Sequence, residues 1–179
     1  MLIYYRMQNI EFNFEENGKE QFKEIERKFL IHELPENLNC FPCEEIIQGY
    51  ITISEDGTET CLRKKGDKYY KTTKSGLGKI RTENETGITE EEFNALWSDT
   101  EGKRLEKIRY EIPYEDNIIE LDIYCGNLEG LVTAEVEFST EKESDNFVLP
   151  FWFGEEVTEN KAYKNQKLVS EGIPKDFFS

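Results

Sequence analysis

Polar and apolar positions alternate through Glu24-Ile25-Glu26-Arg27-Lys28-Phe29-Leu30-Ile31. On a β-strand successive side chains point to opposite faces, so Glu24, Glu26 and Lys28 share one face while Ile25, Phe29 and Ile31 share the other. A lone strand of this kind reads as part of a sheet with one wet face and one face on the core. The same spacing returns at Arg81/Glu83/Glu85, Lys107/Arg109/Glu111, Glu120/Asp122 and Glu135/Glu137. Charges paired on one face of five strands suggest a closed sheet whose polar side is its interior.

Short strands and turns fill the spaces between these segments. Residues 46 to 54 read as a strand with Gln48 and Tyr50 on one face. Asp56-Gly57 and Gly66-Asp67 mark turns around strands at 59 to 64 and 68 to 74, and a further strand runs from 78 to 86. The period then changes: Thr89 caps a helix to Trp97, Glu92 completes a capping box, and Phe93, Leu96 and Trp97 lie on one face. Strands are expected at 105 to 113, 117 to 125 and 131 to 139. Residues 141 to 146 read as a polar linker, and 147 to 153 as an aromatic stretch packed on the sheet. A last helix is expected over 159 to 168, capped by Thr158. Ahead of the first strand, residues 1 to 22 form an extension in which Met1 to Arg6 could be an edge strand. Residues 32 to 45 carry two prolines and two asparagines and read as a loop.

Length and charge narrow the class. A chain of 179 residues fits one domain with a real core. With 38 acidic against 22 basic residues the net charge is −16, which argues against nucleic acid or an anionic membrane as partner. The sequence offers no run of about 18 apolar residues for a membrane span and no signal peptide, so a cytoplasmic location is expected. Four cysteines are too few for a disulfide scaffold. Cys40 and Cys43 form a C-x-x-C, read as free thiols with a redox pair or half a metal site as the alternatives. His32, the only histidine, has no neighbours that would make it a catalytic triad member.

The ordered set of motifs resembles the signature of the CYTH superfamily, the triphosphate tunnel metalloenzymes. The resemblance begins at Glu24-x-Glu26-x-Lys28 and ends in Gly130-Leu131-Val132-x-Ala134-Glu135-Val136-Glu137 and Trp152-x-Gly154-x-Glu156-Val157-Thr158. It implies a mainly β (α+β) fold, an antiparallel eight-stranded β-barrel tunnel with helices packed on the outside. The tunnel domain would span 23 to 170, leaving 171 to 179 as a tail. The family's hairpin supplies an R-x-R pair and a strand ending in K-S-G. Here Arg63 and Lys74-Ser75-Gly76 match, while Cys61 stands where the first arginine would be.

Isolated charges inside a protein carry a desolvation cost of several kcal/mol each, so an interior this charged is expected to be wet and to hold an anion and a metal. By resemblance, Arg63, Lys74, Arg81, Lys107 and Arg109 would form the phosphate wall that binds and acts on a triphosphate; Lys28, an inward base, joins them, and Lys65, which shares the parity of Cys61 and Arg63, is read as a substitute contact. Glu24, Glu26, Glu83, Glu85, Glu120, Asp122, Glu135 and Glu137 would serve Mg²⁺ or Mn²⁺, with Glu24, Glu26, Glu135 and Glu137 as the main metal wall. Arg suits phosphoryl oxygens and hard carboxylate oxygens suit these cations. Metal-dependent hydrolysis of a triphosphate, inorganic tripolyphosphate first, is the implied activity. A class IV adenylate cyclase, a thiamine triphosphatase and a non-catalytic polyphosphate-binding module remain the alternatives, and a homodimer stays open.

Overall fold

The computed structural model describes residues 22–76 and 80–178. The expected edge strand at Met1 to Arg6, and the rest of the extension up to residue 21, lie outside the described residues. Eight strands follow the alternating segments: β1 (Phe22–Leu30), β2 (Cys43–Ile53), β3 (Glu59–Lys65), β4 (Lys68–Ser75), β5 (Ile80–Ile88), β6 (Arg104–Tyr114), β7 (Asn117–Tyr124) and β8 (Val132–Phe138). They close into a barrel in the order β1-β5-β4-β3-β2-β6-β7-β8, with β8 pairing back onto β1 and every pairing antiparallel. Closure leaves no sheet edge and gives each strand one face toward the interior.

The outward face of β1 is apolar. Ile25, Phe29 and Ile31 are buried with Ile119, Leu121, Val136 and Phe147. Phe153 packs on the Phe29 ring at 4.6 Å, so the aromatic stretch 147 to 153 covers the barrel as its sequence implies. Arg27 fastens the next segment to this side, donating to Glu156 at 2.9 and 2.7 Å and to the Ser144 carbonyl at 2.9 Å. Gly154 lies so close to the strand that a Cβ there would stand 2.7 Å from the Leu30 carbonyl oxygen.

The first helix, α1 (Glu90–Trp97), starts at Thr89 with the expected capping box and packs outside the barrel through Phe93 against Tyr69 and Trp97. Two departures from the sequence reading lie beyond the last strand. Residues read as a polar linker form a short helix, α2 (Glu141–Asn146), capped by Thr140. The expected helix over 159 to 168 divides into a 3-10 turn (Lys161–Tyr163), capped by Asn160, and α3 (Asn165–Glu171).

α3 packs at one end of the barrel. Its Leu168 joins Val157 and Tyr163 against Leu30, Leu105, Tyr124 and Leu131. Those four share the parity of the charged inward positions, so the C-terminal segment closes one end of the barrel with an apolar plug. Among the described residues, no helix is long and apolar enough to cross a membrane.

Candidate active site

The strand register carries charge inward in sequence. Lys28 stands opposite Glu135 and Glu26 opposite Glu137 across β1 and β8. Arg109 faces Asp122 and Glu111 faces Glu120 across β6 and β7. Lys74 faces both Glu59 and Glu83, while Thr72 lies between Cys61 and Glu85. Glu24 pairs with Arg81 in the β1–β5 backbone register. The side chains of those last two lie outside the described residues.

Next to the plug the inward charges are buried and paired with one another. Lys28, Lys107, Arg109, Glu120, Asp122 and Glu135 are all buried, Asp122 completely. Lys28 bonds Glu135 at 2.9 Å, and Lys107 bonds Asp122 at 2.5 Å. Arg109 donates to Asp122 from both Nε and Nη2 at 2.6 Å, to Glu135 at 2.6 Å, and to Glu120. Asp122 thus lies between two neighbouring cations that would otherwise repel each other. Mutual pairing offsets the desolvation cost of burying these charges.

These pairings set the proton affinities. Burial opposes the charge on Lys28, but Glu135, Tyr124 and Glu26 outweigh it and its pKa rises. Burial and the neighbouring Arg109 instead lower the pKa of Lys107, against the pull of Asp122. Burial also works against Glu135 as an anion, yet Lys28, Lys107 and Arg109 hold its carboxyl well below the usual range. Arg109 goes the way of Lys28: burial is overcome by Asp122 and Glu120, and its pKa is raised.

Farther from the plug the cations are more open. Arg63 pairs with Glu85, which also accepts from Thr72 at 2.9 Å. Lys74 pairs with Glu83 at 2.8 Å, and Lys65 with Glu111 at 2.7 Å and Glu44 at 3.4 Å. Their side chains retain about a fifth to a quarter of their exposure, 25% for Arg63, 22% for Lys74 and 21% for Lys65. Arg63 Nε is buried with no hydrogen-bond partner among the described residues and so has donor capacity to give to an anion.

Among the described side chains the carboxylates fall into separate groups. Glu83 and Glu85 serve the β3–β4 cations, and Glu120, Asp122 and Glu135 serve the buried network. Among the described residues, no group of three or more His, Cys, Asp or Glu side chains is gathered to hold a metal ion. Glu26 and Glu137 stand in direct cross-strand register between β1 and β8. Like charges in that position are unfavourable by themselves, and hard oxygens from two strands are the donor type that Mg²⁺ and Mn²⁺ take.

Sequence reasoning placed Gln48 and Tyr50 on one strand face without giving them a part in the site, and passed over the other neutral inward residues. Gln48 Nε2 donates to the Tyr50 hydroxyl at 2.8 Å and lies 3.5 Å from Cys61 Sγ. Burial, together with Glu59, pushes the Cys61 thiol up to about 11, so it stays protonated. The Tyr124 hydroxyl donates to Asn165 Oδ1 at 2.6 Å and lies 3.5 Å from Lys28 Nζ. Parity with the charged positions was the signal that could have found Gln48, Tyr50, Thr72 and Tyr124. Cys40 and Cys43 are exposed, and all four cysteines are free thiols.

No protein-family model matches the chain. Curated relatives do. An inorganic triphosphatase of Nitrosomonas europaea is 45% identical over 148 residues, covering 82% of this chain and 96% of the relative. An inorganic triphosphatase of Acetivibrio thermocellus is 35% identical over 152 residues, covering 82% and 93%. A solved structure of an inorganic triphosphatase superposes with a TM-score of 0.63 at 41% identity, covering 84% of this chain and 97% of that one. A putative adenylate cyclase from Bacillus halodurans shares the fold at a TM-score of 0.53 and 18% identity, covering 69% and 85%.

Proposed function

Because the chain belongs to the inorganic triphosphatases of the CYTH, or triphosphate tunnel, superfamily, we propose that its substrate is inorganic tripolyphosphate, hydrolysed inside the barrel with Mg²⁺ or Mn²⁺ as cofactor. The observation that carries this reading is the gathering of Lys28, Arg63, Lys74, Lys107 and Arg109 on the inner face of one closed barrel. Arg63 and Lys74 are the open cations and take the phosphate chain first, by exchanging their carboxylate partners for phosphoryl oxygens. Lys28 and Lys107 lie deeper and meet its far end. Arg109, with four hydrogen bonds to carboxylates, holds the buried network in shape and among the described residues has one N–H left to offer. Arg81 is assigned to the same phosphate wall from its register position beside Glu24.

Glu26 and Glu137, with Glu24 next along β1, are the residues assigned to the divalent cation. When bound, that cation supplies positive charge against the phosphoryl oxygens and acidifies a water. The chain's own contribution is to align the substrate and to offset its charge, which phosphoryl transfer chiefly requires. A cytoplasmic location fits four cysteines kept as free thiols.

Tripolyphosphate, ATP and thiamine triphosphate, each assayed with Mg²⁺ and Mn²⁺ for phosphate, pyrophosphate and cyclic AMP, test the reading. Tripolyphosphate should give orthophosphate and a shortened chain. Glu26→Gln and Glu137→Gln should lose activity while the thermal melt stays cooperative. Full activity in excess EDTA would remove the metal assignment, and cyclic AMP as the main product from ATP would make the protein a cyclase.

A further inference from the structure

Lys28 and Lys107 meet on one neutral side chain. The Lys28 ammonium is 3.5 Å from the Tyr124 hydroxyl, and the Lys107 ammonium stands over the Tyr124 ring, 5.6 Å from its centroid. Tyr124 is buried, on β7, two residues after the Asp122 that holds Lys107. Its hydroxyl has one hydrogen, and that hydrogen goes out of the barrel interior to Asn165 Oδ1 at 2.6 Å, at the first residue of α3. A phenol that donates outward presents only lone pairs inward, and so it can accept from an ammonium.

The direction of that hydrogen matters because of what surrounds it. Glu135 bonds the same ammonium at 2.9 Å. Released from Asn165, the Tyr124 hydrogen would turn toward the nearby carboxylates and compete with Lys28 for them. Lys28 has three N–H groups, of which one goes to Glu135 and one to Tyr124. Among the described residues this leaves one for an anion in the lumen, with its direction fixed by the other two.

We propose that Asn165, acting through the Tyr124 hydroxyl, is a positioning residue that aims the Lys28 ammonium at the substrate, so that the plug helix contributes to phosphate binding as well as closing the barrel. This rests on the triphosphatase reading above. The influence of Asn165 on Lys28 passes through one hydrogen bond, from the Tyr124 hydroxyl. The aromatic face keeps Lys107 beside the same ring, so the hydroxyl and the ring hold two cations from one residue.

A double-mutant cycle with tripolyphosphate as substrate provides the test, using the full chain with Asn165→Leu, Tyr124→Phe and the double variant, and Asn165→Asp as the variant that keeps an acceptor. KM, kcat and thermal melts are measured for each. Asn165→Leu and Tyr124→Phe should each raise KM about tenfold, the size of one lost hydrogen bond to a charged group, with little change in kcat. Asn165→Asp should restore KM. In the Tyr124→Phe background Asn165→Leu should add nothing, since the hydroxyl through which it acts is gone. Equal costs of Asn165→Leu in both backgrounds would show that the residue only anchors α3 and would overturn the proposal. So would an unchanged KM in both single variants. Should Asn165→Leu fail to fold, Tyr124→Phe and Asn165→Asp carry the same comparison without loosening the plug. A parent protein that hydrolyses ATP but not tripolyphosphate fails the substrate reading instead, and the cycle then runs on ATP with the same expected pattern.

Discussion

Cys61 sits on the inner face of β3 between Tyr50 of β2 and Thr72 of β4, where a cation would face the phosphate chain. Its thiol is buried and protonated, so it offers one weak donor in place of the two charge-assisted bonds an arginine gives. Cys61→Arg should therefore tighten tripolyphosphate binding by about tenfold, read by calorimetric titration, while lowering the melting temperature because the slot is already filled. Lys65 shares this parity but is held by Glu111 and Glu44, so Lys65→Ala should change affinity less than Cys61→Arg does. An affinity unmoved by the added arginine would take Cys61 out of the phosphate wall. The inward place of Cys61 and Arg63 was legible from alternation alone. What they touch was not, because strand neighbours depend on the register between segments far apart in sequence. Nothing local to Arg63 announces Glu85, and nothing local to Lys107 announces Asp122.

Among the elements, five strands were visible as a period of two and the others between turn signals, with β2 starting at Cys43 inside the stretch read as a loop, and α1 was visible as a period near 3.6 with a capping box. α2 was hidden because it has no apolar stripe: Ser144 is its buried residue, and the helix is held from its ends and backbone. Thr140 accepts from the Glu143 amide at 3.2 Å, Glu143 accepts from the Ser139 amide at 3.1 Å, and Arg27 of β1 binds the Ser144 carbonyl. A helix built this way leans on its cap. Thr140→Ala should lower stability by about 1 kcal/mol, a drop of roughly 2–4 °C in melting temperature for a chain of this size, with activity unchanged. A melt identical to the parent's would show that the Arg27 bond holds α2 without the cap. The C-terminal helix was expected in nearly the right place, and α3 packs at the end of the barrel. Leu168 and Tyr163 are apolar whether they cover the outside or the end, and only barrel closure decides between the two.

At the scale of the molecule, the buried network ties the barrel's stability to pH. Glu135 is held well below its ordinary 4.5, so over that interval the unfolded chain binds more protons than the folded one. The stability it contributes is complete above about 4.5 and is lost as pH falls through the lowered value. Lys107 has the opposite charge but gives the same slope. Its pKa is depressed below 10.5, so the unfolded chain again holds the extra proton, and stability rises as pH climbs through the window beneath 10.5. Lys28 is raised above 10.5 instead, and what it contributes is present below that value and lost only as pH rises past its folded pKa. The protein should therefore be more tolerant of mild alkali than of acid. The net charge of −16 blurs a single melting curve, since acid also relieves general repulsion. The difference between parent and Glu135→Gln separates the two effects, because the variant keeps nearly the whole surface charge. At neutral pH it should be less stable by about 3–5 kcal/mol, the cost of leaving Lys28 and Arg109 short of a buried anion. That difference should shrink as pH falls through the lowered Glu135 pKa, where the parent's own carboxyl takes up its proton. Melts of the two proteins from pH 3 to 9 would show converging curves at the acid end, whereas curves that stay parallel would mean that Glu135 is not the group tying the barrel to pH.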